Sequence, residues 1–169
     1  IKTRSYIASD TRRDLTKQPF AGWVYNDLIV VDKYPLKQLE RDLVEECHEN
    51  RAIDLAYDPY NGQPFAESLD QQGIVCASYS QTCGMFHEPI CELRQAMADG
   101  RLRHDGTPLL RWCLGNAVLD ADPQDRFRYT KRDSSEKIDP VVAMTMAYRL
   151  AMIAPSRATG NLFTYGSKR

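Results

Sequence analysis

Short apolar runs alternate along this chain with segments of helical periodicity, and this alternation constrains the fold more than any other feature of the sequence. Runs of β-branched and aromatic residues predict strands, whereas apolar residues three and four positions apart predict helices. Strands that alternate with helices predict an α/β fold, with helices packed on the faces of a sheet. The predicted strands are residues 23–31, 52–58, 74–79 and 116–119, and the predicted helices are residues 36–48, 63–72, 88–99, 108–114 and 140–153.

Three segments interrupt this series and set the predicted domain boundaries. Residues 1–20 are polar and basic without a sustained period, which predicts a loop with a short helix near residues 10–17. Residues 120–135 are polar and carry a run of charges, which predicts a hairpin or an exposed loop. Pro155 is followed by glycine, serine and asparagine, which are typical of a flexible tail. The predicted organisation is an N-terminal polar segment at residues 1–22, one folded domain at 23–154 and a flexible tail at 155–169.

Composition limits the classes of function open to the chain. At 169 residues it has the size of one ordinary domain, and it lacks the GxxxxGKS/T loop of an ATPase. The net charge of -1 excludes a uniformly basic surface, so any nucleic-acid site must be local. The five cysteines include no CxxC pair, which predicts free thiols in a reducing compartment and no zinc site. Since no apolar stretch approaches the roughly 20 residues of a membrane span, a cytoplasmic protein without a membrane partner is expected.

Two aspartates stand at the ends of predicted elements. Asp58 lies at the C-terminal tip of a strand, where open α/β sheets place ligands and catalytic groups. Asp139 precedes Pro140 at a helix start, an N-cap arrangement in which the carboxylate meets the positive end of the helix dipole. Both positions also have a purely structural interpretation, because aspartate commonly starts turns and caps helices. If the two carboxylates meet, they form an all-oxygen site suited to Mg²⁺ or Mn²⁺ and to phosphodiester cleavage.

Four segments of the sequence together resemble a known protein family. They are IDLAYDPYN at residues 53–61, EPICELRQAMADGRLRHDGTPLLRWCLGNAVL at residues 88–119, the isolated Lys131, and SSEKIDPVVAMTMA at residues 134–147. Their order and spacing are similar to the C-terminal nuclease domain of tailed-phage terminase large subunits. The resemblance extends over residues 23–154, and it is specific because no single short motif carries it.

The resemblance implies an RNase H-like fold, with a mixed sheet flanked by helices, and a metal-dependent DNA endonuclease. Asp58 matches the family's acidic residue after the AYD strand, and Asp139 matches that of its KID motif. Both are therefore expected to be catalytic and to ligate Mg²⁺ or Mn²⁺, as a site for two ions. Lys137, Arg111 and Asn116 match positions near the site, and contacts to DNA phosphates or to the metal ligands are expected of them.

The same resemblance implies the biological task and the partners. Enzymes of this family cut concatemeric double-stranded DNA during genome packaging. A complete terminase acts with an ATPase domain, a small subunit and a portal, so these are the implied partners, with double-stranded DNA as the substrate. The implied location is the cytoplasm of the bacterial host cell.

One departure from the family leaves alternatives open. The family has a further aspartate on the first, central strand of its sheet, and this sequence is expected to begin after that strand. SDTRRDLT at residues 9–16 resembles the sequence that follows it, which makes Asp10 and Asp14 the candidate substitutes. Three interpretations stand: an active endonuclease domain, a catalytically inactive prophage terminase remnant, and a non-enzymatic α/β binding domain whose aspartates are only caps.

Overall fold

The computed structural model describes residues 5–8, 20–50, 52, 54–104, 106–133 and 136–153. Up to Ala98 the described strands and helices alternate, as predicted for an α/β fold, and beyond it a second helix, two consecutive strands and a last helix follow. The strands are β1 (Ser5–Ala8), β2 (Ile29–Asp32), β3 (Leu55–Tyr57), β4 (Cys76–Ser78), β5 (Ala117–Ala121) and β6 (Phe127–Lys131). The helices are α1 (Phe20–Tyr25), α2 (Pro35–Glu49), α3 (Pro59–Asp70), α4 (Cys83–Ala98), α5 (Pro108–Asn116) and α6 (Asp139–Ile153).

The described strands form three two-stranded ladders. β1 pairs with β2 and β3 pairs with β4, both in parallel, whereas β5 and β6 form an antiparallel hairpin. A parallel pair needs a crossover connection, and α3 supplies it between β3 and β4. Because parallel strands end at the same edge of a sheet, the residues that follow β3 and β4 lie side by side.

Helix starts follow from capping side chains and from proline. Asp58, Thr82 and Thr107 cap α3, α4 and α5, since each side chain accepts a hydrogen bond from a backbone N–H two or three residues further on. Pro59 and Pro108 occupy the first positions of α3 and α5. A backbone N–H at this position has no acceptor within the helix, so proline, which has no N–H, costs no helical hydrogen bond there. None of the described helices combines the length and the apolar character that crossing a membrane requires.

Pro89 lies inside α4 and is nevertheless compatible with it. Proline has no N–H, so the carbonyl of Met85, four residues earlier, loses its helical donor. The hydroxyl of Tyr79 donates to that carbonyl at 2.6 Å. A side chain from the segment after β4 thus replaces the missing helical bond and ties α4 to the edge of the β3–β4 pair.

Buried side chains form the core in three clusters. α6 takes part in two of them. Val141 packs in the cluster that includes residues of α1, β2 and α5, and Met146 packs in the cluster that includes residues of α4, so this helix joins the two clusters. All five cysteines are free thiols, as predicted, and two of them are buried. The clusters consist of Trp23, Ile29, Leu109, Cys113 and Val141; of Tyr79, Phe86, Ile90 and Met146; and of Cys47, Leu69 and Ile74.

The prediction of a strand over residues 23–31 is wrong in its first half. Residues Phe20–Tyr25 form α1, and β2 begins only at Ile29. The Trp23 ring lies 5.4 Å from that of Phe20 and 5.5 Å from that of Trp112, measured between centroids, so aromatic packing outweighs the strand propensity of the run. Asp27 then separates helix from strand with a φ of 57°, a left-handed conformation that aspartate tolerates better than most residues.

Other predicted bounds differ as well. The loop predicted over residues 1–20 is wrong at Ser5–Ala8, which form β1 and contain no acidic residue. The helices predicted from residues 63 and 88 begin earlier, at Pro59 and Cys83, where Asp58 and Thr82 supply their caps. Of the hairpin or exposed loop predicted over residues 120–135, the structure shows the hairpin, formed by β5 and β6, although its first strand already begins at Ala117. The helix predicted near residues 10–17, the aspartates Asp10 and Asp14, and the tail predicted at 155–169 lie outside the described residues.

Candidate active site

Asp58 lies directly after β3 and caps α3. Its Oδ1 accepts a hydrogen bond from the Tyr60 N–H at 3.0 Å, and its Oδ2 accepts one from the Gln81 side-chain Nε2 at 2.7 Å. The residue is half-buried. A carboxylate offers about four acceptor positions, so these two bonds leave further lone pairs for another partner. The structural role of Asp58 as a cap is therefore compatible with the expected role as a ligand.

Gln81 reaches Asp58 because β3 and β4 are parallel neighbours. Tyr57 pairs with Ser78, and the N–H of Tyr79 donates to the carbonyl of Tyr57 at 2.8 Å, which extends the ladder past the end of β4. Gln81 was not among the site residues predicted from the sequence. The available signal is the polar run SQT at residues 80–82, directly after a strand whose parallel partner ends at Asp58.

Asp139 is the first residue of α6 and does not occupy the cap position. The N–H groups of Val141 and Val142 bond to the carbonyl of Ile138 at 2.9 and 3.1 Å, so Ile138 starts the helical hydrogen-bond ladder. The predicted N-cap position of Asp139 is therefore wrong by one residue, because the buried Ile138 anchors the start of the helix. Asp139 is exposed in the first turn, where the helix dipole favours negative charge.

The elements that carry the two aspartates pack against each other. α6 contacts β3. Ala56, two residues before Asp58, and Val142, three residues after Asp139, pack on the same cluster of Tyr79, Phe86, Ile90 and Met146. β3 and α6 therefore share this cluster, and Asp139 lies about one helical turn before Val142, on the same side of α6.

Asn116 connects three segments around the start of α6. Its carbonyl accepts a hydrogen bond from the Arg132 N–H at 2.9 Å, and its side-chain Nδ2 donates to the carbonyl of Lys137 at 3.3 Å. Lys137 is exposed and lies two residues before Asp139. Asn116 therefore fixes the backbone that leads into Asp139, a contact consistent with the expected supporting role.

The remaining basic residues of the resemblance are exposed. Arg111 lies on α5, and Lys131 ends β6, where it pairs with Ala117. Within the described part of the chain, neither side chain forms an ion pair with Asp58 or Asp139. Neither side chain therefore holds the two carboxylates in place.

The donor set fits a cation that prefers oxygen ligands, although it is small. Over residues 5–8, 20–50, 52, 54–104, 106–133 and 136–153, no group of three or more His, Cys, Asp or Glu side chains is placed to hold a metal ion. Mg²⁺ is commonly bound through one or two carboxylates, with waters and substrate phosphates as its other ligands. The carboxylates of Asp58 and Asp139 therefore fit Mg²⁺ or Mn²⁺ in donor chemistry.

Negative charge gathers at the start of α6. Burial raises the pKa of the Cys113 thiol to about 12, and the charges of Asp139 and Glu136 contribute to the shift. The Oε2 atom of Glu136 is itself buried without a hydrogen-bond partner among the described residues. Glu136 and Asp139 thus place two acidic side chains, one partly buried and one exposed, at the start of α6.

Comparison with known proteins identifies the family. Residues 44–154 match the family model described as the terminase large subunit, endonuclease domain. The chain is 32% identical to Protein YmfN of Escherichia coli (strain K12) over 98 residues, which are 57% of this chain and 22% of that protein. It is 24% identical to the terminase large subunit of Enterobacteria phage HK97 over 143 residues, 82% of this chain and 28% of that protein. It is 33% identical to the terminase large subunit of Lactococcus phage p2 over 60 residues, 36% of this chain and 11% of that protein.

The fold is shared with a solved structure. The crystal structure of the HK97 bacteriophage large terminase is similar with a TM-score of 0.68 and 24% identity, over 78% of this chain and 28% of that chain. The similarity confirms the predicted RNase H-like fold. The chain spans less than a third of the length of each of these proteins. Because the family model covers residues 44–154, more than half of the sequence, this protein belongs to the terminase large subunit endonuclease-domain family.

Proposed function

We propose that this chain is a metal-dependent endonuclease domain that cuts concatemeric double-stranded DNA during packaging of a phage genome. Membership in a family described as an endonuclease domain is the observation that carries the proposal. The proposed partners are double-stranded DNA and, in a full terminase, the ATPase domain, a small subunit and a portal. The proposed setting is the cytoplasm of the bacterial host.

Asp58 and Asp139 are the proposed metal ligands. Asp58 keeps acceptor positions open beside its bonds to Tyr60 and Gln81, and Asp139 is exposed at the start of α6. The packing of α6 against β3 supports a shared site, because it joins the elements that carry the two carboxylates. Both side chains offer the hard oxygen donors that Mg²⁺ and Mn²⁺ prefer.

When bound, two such ions supply a nucleophile from water at neutral pH and stabilise the charge on the leaving oxygen. The chain's own residues hold and orient the groups around them. The α3 cap and Gln81 fix the Asp58 carboxylate, and Asn116 fixes the backbone ahead of Asp139. The exposed Lys137 and Arg111 are proposed to neutralise DNA phosphates and so to set the register of the duplex.

Nicking and linearisation of supercoiled plasmid in Mn²⁺ or Mg²⁺ tests the proposal. The unmodified protein is expected to cleave, and EDTA is expected to stop cleavage. Asp58→Asn and Asp139→Asn are each expected to abolish it, because each removes a charged ligand while keeping the size of the side chain. Asp70→Asn, at the exposed end of α3, is the matched control and is expected to cleave like the unmodified protein.

Each other outcome contradicts a stated part of the proposal. Cleavage that survives both substitutions contradicts the assignment of Asp58 and Asp139. A folded protein that does not cleave contradicts the nuclease activity and favours a second candidate, an inactive terminase remnant. That candidate is motivated by the absence of a three-ligand group from the described residues. Retention of labelled duplex DNA without cleavage would separate such a remnant from a non-enzymatic α/β binding domain.

A further inference from the structure

The hydrogen bond from Gln81 to Asp58 is distinct from helix capping. Tyr60 binds Oδ1 from within the helix that Asp58 caps, whereas Gln81 binds Oδ2 from a loop 23 residues further along the chain. A single cap bond leaves a carboxylate free to rotate about it. The second bond, at 2.7 Å, fixes the plane of the Asp58 carboxylate.

The Gln81 loop is anchored on both sides. Before it, Tyr79 is 3% exposed, and its hydroxyl donates to the carbonyl of Met85. After it, Thr82 caps α4 through a bond from the Met85 N–H at 3.4 Å. Gln81 therefore lies on a short segment that is tied at each end to the same turn of α4, so its side chain starts from a defined backbone position.

A contact from the β5–β6 hairpin completes the anchoring. Nη1 of Arg128 donates to the carbonyl of Gln81 at 3.3 Å, across 47 residues of sequence. Arg128 also forms an ion pair with Asp120 at 3.5 Å, and the two residues are directly opposite each other in the hairpin ladder. Because Asp120 restrains the guanidinium, the hairpin can hold the Gln81 backbone while its side chain holds Asp58.

The chemical type of residue 81 suits a supporting role beside a cation. A glutamine amide donates a hydrogen bond and adds no net charge. A lysine or arginine in its place would orient the carboxylate too, but its positive charge would repel a metal ion bound to Asp58. Groups that hydrogen-bond to metal ligands typically change metal affinity or activity by about 10–100-fold when they are removed.

We propose that Gln81 is a positioning residue that orients the Asp58 carboxylate for metal binding, and that Arg128 acts on Asp58 through Gln81. This inference rests on the proposed function, in which Asp58 is a metal ligand. The β5–β6 hairpin, although far from Asp58 along the chain, thereby contributes to the site through Arg128.

Mn²⁺ binding followed by electron paramagnetic resonance, together with the Mn²⁺ concentration for half-maximal plasmid nicking, tests the inference. Gln81→Met keeps the approximate shape of the side chain and removes its donor. It is expected to raise the Kd for Mn²⁺ and the Mn²⁺ concentration for half-maximal nicking about tenfold each. The nicking rate at saturating Mn²⁺ is expected to change less. The melting temperature is expected to stay unchanged, because Gln81 is exposed. Gln63→Met is the matched control: this glutamine, also near the end of β3, bonds to Tyr57 and Glu67 and not to Asp58.

Two further variants separate charge from geometry. Gln81→Lys keeps a donor and is expected to weaken Mn²⁺ binding more than Gln81→Met does, because of its charge. Arg128→Met is expected to weaken Mn²⁺ binding less than Gln81→Met, and to add little when the two are combined, since it acts through the same residue.

The outcomes distinguish this inference from the proposed function. Unmodified protein that neither binds Mn²⁺ nor cleaves DNA overturns the proposed function, and the inference with it. Unmodified protein that binds and cleaves, next to a Gln81→Met variant with the same Mn²⁺ dependence, overturns the inference alone. A Gln81→Met variant that melts at lower temperature but binds Mn²⁺ like the unmodified protein shows a structural role and also overturns it.

Discussion

Asp58 has two roles that a pair of substitutions can separate, helix cap and proposed metal ligand. Asp58→Ala removes the acceptor for the Tyr60 N–H, and loss of a capping side chain costs about 1 kcal/mol. For a domain of this size about 1 kcal/mol lowers Tm by roughly 2–4 °C. Asp58→Asn keeps an oxygen for the cap, and asparagine caps helices about as well as aspartate. It is therefore expected to melt within about 1 °C of the unmodified protein.

The ligand role predicts a different pattern when metal is added. Mn²⁺ at about 100 times its Kd stabilises a protein that binds it by about 2.7 kcal/mol, which corresponds to roughly 5–11 °C in Tm. Both Asp58 variants are expected to lose most of this shift and to lose DNA cleavage. Differential scanning fluorimetry with and without Mn²⁺ measures cap and ligand contributions in one experiment.

Thr107→Ala is the matched control for the cap. Thr107 caps α5 by accepting from the Leu110 N–H at 3.3 Å, so its loss has a similar cost away from Asp58. This variant is expected to melt lower and to keep the full Mn²⁺ shift. The reasoning is refuted if Asp58→Asn retains the Mn²⁺ shift and cleaves DNA, because Asp58 would then be a cap and nothing more.

Three further predictions concern the surroundings of Asp139. Asn116→Leu loses the bond to the Lys137 carbonyl, so the Mn²⁺ concentration for half-maximal nicking is expected to rise; an unchanged value would remove Asn116 from the site. Lys137→Ala is expected to reduce the slope of log Kd against log salt concentration for duplex binding by about 0.9, the value for one phosphate contact. An unchanged slope in anisotropy titrations with Ca²⁺ would contradict that contact. Burial raises the pKa of Cys113 from 9.0 to about 12, so the stability that its protonated thiol contributes is fully present below pH 9.0 and lost as the pH rises towards 12. The fall in Tm at alkaline pH is thus expected to be smaller in Cys113→Ala, and equal pH slopes for the two proteins would contradict it.

Elements with a strong local signal were predictable from the sequence. The helix from Pro108 and the helix over residues 140–153 have clear starts and apolar periodicity, and both are present as α5 and α6. The placement of Asp58 at a strand end was predictable as well, because Pro59 cannot continue a strand. In each case the deciding interaction is local, between residues a few positions apart.

Elements that depend on distant contacts were not predictable. The run at residues 23–31 has strand composition, yet its first half is helical because Trp23 packs against Trp112, 89 positions away in sequence. The helix predicted from residue 88 begins five residues earlier, at Cys83, and Pro89 is compatible with its interior because the Tyr79 hydroxyl donates to the carbonyl that proline leaves without a donor. Gln81 was not predictable for the same reason, since its contact with Asp58 comes from the parallel pairing of β3 with β4 and not from its neighbours in sequence.

The basic side chains in and near the β5–β6 hairpin differ in whether they form ion pairs, and this difference predicts which of them a DNA duplex would contact. Two hairpin arginines are neutralised within the hairpin, Arg126 by Asp122 at 2.8 Å and Arg128 by Asp120 at 3.5 Å. By contrast, Lys131 and Lys137 are exposed and form no ion pair with another described residue, and both lie around Asn116, next to the start of α6. Phosphates attract unpaired surface cations more strongly than paired ones. The duplex is therefore expected to approach at the α6 end of the hairpin, beside Asp139, and not at its tip.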